Sequence, residues 1–117
     1  RGGEVALADS PGGLPVAYWR SIEAVDPVAE SRALPQPMLI LQGGTDIQVV
    51  DADWQGWKAA FHSTPRVSFK LYETLNHLAI PGTGTVAEYQ TPGHVDPTLI
   101  ADVAQWIGAQ SPQRKKK

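Results

Sequence analysis

The run Met38-Leu39-Ile40-Leu41 is apolar at every position and does not alternate. Successive side chains of a strand point to opposite sides of the sheet, so a strand with one wet face alternates. A strand that is apolar throughout wants cover on both faces, which is the condition of a central parallel strand. A parallel neighbour in turn requires a crossover, usually a helix, before the chain can return in the same direction. The sequence downstream supplies those parts in order. After a Gly43-Gly44 turn, Asp51 caps a predicted helix running to about Phe61, with Trp54, Trp57, Ala60 and Phe61 on one face at three- and four-residue steps. The two tryptophans read as core. Val67 to Tyr72 then alternates apolar and polar, a strand with one wetter face nearer the rim of a sheet.

Glu73 to Val95 reads as a long loop rich in glycine, threonine and proline, and loops of that length are usually functional or disordered. Asp96-Pro97 supplies an N-cap and a proline at the first helical position. Leu99, Ile100, Val103, Trp106 and Ile107 form the stripe of a last helix, expected to stop at Gly108. Upstream, residues 1–15 hold four glycines and two prolines, a loop in which Glu4 to Ala8 is expected to pair as an edge strand. Val16 to Glu23 reads as a short helix through Tyr18, Trp19 and Ile22, ended before Pro27, and Val28 to Leu34 as a turn of helix. The fold class is therefore α/β: a βαβα unit with parallel strands near 37–42 and 66–72 and a helical lead-in. Three segments are expected: a loop or edge segment at 1–15, the α/β segment at 16–110, and a disordered basic tail at 111–117.

At 117 residues and 42% hydrophobic content the chain can be one domain with a modest core. Ten basic residues against twelve acidic ones argue against a nucleic-acid groove or a membrane-surface patch. With no cysteine there is no disulfide and no thiolate metal site, and the compartment stays open. No run of apolar residues is long enough to span a bilayer. The chain opens at Arg1 inside loop chemistry, which is expected of a piece of something longer.

A right-handed strand-helix-strand crossover puts the carboxyl ends of both strands on one edge. Asp46 and His77 each lie just past such an end, on the edge where α/β sheets place their sites. A carboxylate bonded to imidazole Nδ1 fixes the tautomer that leaves Nε2 free to take a proton, and stabilises the imidazolium that forms. Asp46 has a second reading, closing the glycine turn through its own backbone. His77 also has a reading as a satisfied loop histidine, but its strand-end position and its pairing with Asp46 tilt it toward function. His62 reads as structural, at a helix C-terminus. A His-His-Asp metal set of His94 with Asp46 and His77 is chemically possible, but no i, i+4 histidine pair supports it.

The stretches "LPVAYWRSIEAVDPVAESRALPQPMLILQGGTDIQVVDADWQGWKAAF", "VSFKLYETLNHLAI" and "TVAEYQTPGHVDPTLIADVAQWI" resemble the C-terminal part of an α/β-hydrolase of the bacterial serine esterase type, from about Leu14 to Ile107. The resemblance implies a partial α/β-hydrolase fold. In it, Asp46 of Gly-Gly-Thr-Asp matches the triad acid and His77 of Leu-Asn-His-Leu the triad base. Ala17-Tyr18-Trp19 would be the lower edge of the cap over the acyl pocket. No cofactor and no metal are implied, and the substrate would be a small acyl compound or ester. The family's nucleophile motif, G-x-S-x-G on a strand-to-helix elbow, is absent. Its nearest approach, Ala8-Asp9-Ser10-Pro11-Gly12, fails because the residue after the nucleophile must give an N–H to the oxyanion hole and Pro11 has none.

Two functions follow. In the first, the chain is the acid-and-base portion of a serine hydrolase, inactive until a serine comes from a missing N-terminal part or another chain. In the second, it is a self-standing α/β binding or assembly module without catalysis. Either way, two strands alone leave free edges, so a homo-oligomer joined through strand edges or helix faces is expected.

Overall fold

The computed structural model describes residues 6–110. The chain divides into two compact units, Arg1–Pro35 and Gln36–Lys117, a break that falls inside the segment expected to run from residue 16 to 110. The basic tail lies outside the described residues.

The first unit is helical. Leu7–Asp9 and Pro11–Gly13 form two 3-10 turns, joined at Ser10. The edge strand expected for Glu4 to Ala8 is therefore not formed in its described part, and its first two residues lie outside the description. Helix α1 spans Val16–Glu23 and α2 spans Pro27–Arg32. Asp26 caps α2, its carboxylate accepting from Ala29 N at 3.0 Å, with Pro27 at the first helical position where its missing N–H costs nothing.

The second unit holds β1 (Met38–Gly43), α3 (Asp51–Phe61), β2 (Val67–Tyr72) and α4 (Pro97–Gln110). The strands pair in parallel, from Met38 opposite Val67 to Gly43 opposite Tyr72. Helices lie on both faces. Trp54 of α3 meets Phe69 edge-on, ring centroids 5.5 Å apart. On the opposite face Asp102 of α4 accepts from Tyr72 Oη at 2.7 Å and pairs with Lys70 Nζ at 2.6 Å. Phe69 and Tyr72 differ in parity along the strand, so they point to opposite sides. The core comprises Trp54, Phe61, Val67 and Leu75.

Three local expectations need correction. Asp51 is the first residue of α3 and not its cap; the Val50 N–H is instead met by Asp53 Oδ2 at 3.0 Å. Helix α4 continues through Gly108 to Gln110, because glycine weakens a helix without ending it. Met38 to Leu41 are only half-buried, since a sheet of two strands gives β1 a neighbour on one side alone. Among the described residues no helix is long and apolar enough to cross a membrane.

Candidate active site

The site forms where the two strands end. Because Gly43 lies opposite Tyr72 in register, the loops leaving β1 and β2 start level with one another. The ladder continues one step further, Gly44 N donating to Tyr72 O at 2.7 Å, and Thr45 N then donates to Leu75 O at 3.1 Å. The glycine pair permits this approach. A Cβ on Gly43 would collide with the Leu75 carbonyl oxygen and stand 3.0 Å from that of Asn76, and one on Gly44 would stand 2.5 Å from the Glu73 carbonyl oxygen. Two backbones in contact leave no room for a side chain, and the contact carries the following residues, Asp46 and His77, toward each other.

The two side chains meet. His77 Nδ1 lies 3.0 Å from Asp46 Oδ2 and 3.2 Å from Oδ1. An ionised carboxylate only accepts, so Nδ1 carries the proton. Nε2 makes no hydrogen bond to the described residues, and the His77 side chain is 36% exposed against 9% for Asp46. Asp46 also closes its own loop, Oδ1 accepting from Gln48 N at 2.8 Å and Val49 N at 3.0 Å. Burial alone would raise its pKa; the Val49 and Gln48 N–H groups and the His77 ring outweigh that and lower it. One carboxylate thus closes its own turn and accepts from the His77 ring.

The long loop after β2 has more order than its composition implies. Leu75 and Pro81 form an antiparallel bridge, and Val86–Gln90 form a 3-10 turn. Within that turn the Tyr89 ring lies 6.4 Å from the His77 ring, and its hydroxyl accepts from Gln48 Nε2 at 2.8 Å. Asn76 is buried, its Oδ1 accepting from Leu78 N and Ile80 N. Ala79 takes a positive φ of 58° in the same tight loop. Glu88 accepts from Asn76 Nδ2 at 3.0 Å through Oε2, and from Thr83 N and Gly84 N through Oε1. These bonds, the Asn76 one foremost, pull the Glu88 pKa down to about 2. Gln48, Asn76, Glu88 and Tyr89 were not predicted as site residues. Their only sequence signal is a polar or aromatic residue in a loop, which is too common to select them.

The other candidates stay apart from the pair. His62 closes α3, its Nδ1 3.0 Å from Ala59 O. Among the described residues no three histidine, cysteine or acidic side chains come together as a metal-ligand set, so His94 does not join Asp46 and His77. Ser10 sits between the two 3-10 turns in extended conformation, with its hydroxyl buried and unpartnered among the described residues. It stands on no strand-to-helix elbow, as Pro11 already required.

An imidazole held through Nδ1 by a carboxylate, with Nε2 uncommitted among the described residues, has the arrangement that general-base chemistry requires. No family model and no solved structure matches the chain. It is, however, similar to a curated protein, the esterase EstD of Thermotoga maritima, at 35% identity over 97 residues. The similarity covers 81% of this chain and 24% of that protein, so the chain spans about a quarter of the relative's length. Over most of its length, then, this α/β chain is similar to part of an esterase.

Proposed function

We propose that the chain is the acid-and-base portion of a serine hydrolase of the α/β-hydrolase type, acting on carboxylic esters. The observation that carries this reading is the His77 Nδ1 to Asp46 hydrogen bond at the common edge of two parallel strands. The similarity to part of an esterase supports it.

In this reaction a serine from outside the chain attacks the ester carbonyl carbon while its Oγ proton passes to His77 Nε2. Asp46 holds the ring in the required tautomer and stabilises the imidazolium. The proton then goes from Nε2 to the leaving alkoxide oxygen as the C–O bond breaks. Water repeats the sequence on the acyl-enzyme, returning serine and releasing the acid.

The test is complementation. The chain is assayed on a short-chain chromogenic ester, alone and joined to a hydrolase N-terminal portion bearing G-x-S-x-G. The expected result is activity in the joined form only, lowered by about 10⁴-fold in Asp46→Ala and comparably in His77→Ala. Activity indifferent to both substitutions would sink the triad assignment.

A further inference from the structure

We propose that Glu88 is a positioning residue, which through Asn76 holds the His77 imidazole against Asp46. The residue before His77 is locked from every side. Asn76 Oδ1 accepts from Leu78 N at 3.0 Å and Ile80 N at 3.2 Å, its backbone N donates to Ile80 O at 2.9 Å, and its Nδ2 donates to Glu88 Oε2 at 3.0 Å. A buried amide with this many partners has one orientation available, and His77 leaves the chain directly after it.

Glu88 is itself anchored. Its other oxygen accepts from Thr83 N at 2.6 Å, Thr83 Oγ1 at 3.0 Å and Gly84 N at 3.1 Å. Gly82 leaves space for the carboxylate, since a Cβ there would strike Glu88 Oε2. The next residue, Tyr89, bonds Gln48, and its ring is tilted 58° to that of His77 at 6.4 Å. The Val86–Gln90 turn therefore touches both loops of the pair: the histidine loop through Glu88 and the aspartate loop through Tyr89.

The catalytic consequence rests on the hydrolase reading, but the positioning does not, and the two are measured separately. Imidazole 15N shifts of the 117-residue chain, at a pH where the ring is neutral, report whether His77 is held with its proton on Nδ1. Glu88→Gln keeps an oxygen for Thr83 and Gly84 but sets amide donor against amide donor at Asn76; Asn76→Asp sets two carboxylates face to face. Each is expected to lose the single tautomer. The double variant reverses the bond, the introduced amide donating to the introduced carboxylate, and is expected to restore it.

A role confined to fold stability would lower the unfolding midpoint of the single variants without releasing the tautomer. Should either single variant fail to fold, Gly82→Ala, whose Cβ would collide with the Glu88 carboxylate, decides. Folded variants that keep His77 in one tautomer overturn the proposal, as does a folded double variant that fails to recover it. In the joined form used for the ester assay, the released ring is expected to cost about 10²-fold in kcat, the scale of an ångström misplacement. Loss of the tautomer in a joined form that hydrolyses nothing would leave the positioning intact and remove the hydrolase reading.

Discussion

At Gly43 the constraint is another backbone. A methyl group there would meet the Leu75 and Asn76 carbonyl oxygens, neither of which can swing away as a side chain would. Gly43→Ala is expected to cost about 1–3 kcal/mol, the range for forcing atoms into a filled space, read as a lower urea midpoint. Gly56 is the opposite case: it lies inside α3 with nothing within 4 Å of an added Cβ. Gly56→Ala is expected to stabilise by about 0.5–1 kcal/mol, because alanine gives up less backbone entropy on entering a helix. Both residues are plain glycines in the sequence. Only their surroundings separate them. Asp46 carries a similar lesson, since its turn-closing and histidine-bonding roles compete on paper and coexist in space through separate lone pairs.

Among the elements, α4 shows how local chemistry sets a helix start. Asp96 Oδ1 accepts from Thr98 N at 2.8 Å and Leu99 N at 3.2 Å, so Asp96→Ala is expected to cost about 1 kcal/mol in the same urea measurement. Such caps are legible because donor and acceptor are two or three residues apart. The turn at Val86–Gln90 was not legible: it is organised by Glu88 reaching Asn76, twelve residues back. Glu88 also predicts the acid behaviour of this region. Its folded pKa of about 2 lies below the ordinary 4.5, so its contribution is fully present above about pH 4.5 and is lost as pH falls toward 2. Asp46 and Asp102, both lowered, act in the same direction. Unfolding midpoints measured from pH 5 to 2 are expected to fall, less steeply in Glu88→Gln than in the unaltered chain.

For the whole molecule the outstanding feature is incomplete cover. Among the described residues the sheet has two strands, each with one edge unpaired, and Ile100 and Ile107 of α4 are each 55% exposed, although both belong to the stripe that marked the helix as amphipathic. Apolar stripes and strand edges exposed in this way favour association. We expect the isolated chain to self-associate as concentration rises, measured by light scattering on a sizing column; a monomer throughout would argue that the faces are tolerated bare. The sequence by itself determined the order of the four α-helices and two strands, the parallel pairing, and the two strand ends where Asp46 and His77 would emerge. Those follow from side-chain periodicity, turn residues and the handedness of a crossover, all of which act over a few neighbouring residues or on any chain of this pattern. Tertiary structure alone decided that the pair closes to 3.0 Å, that glycine backbones let the loops touch, that Glu88 reaches Asn76, and that the Tyr89 ring comes to 6.4 Å from the His77 ring. Each of those is a contact between residues distant in the chain, fixed by which atoms can occupy the same space after folding.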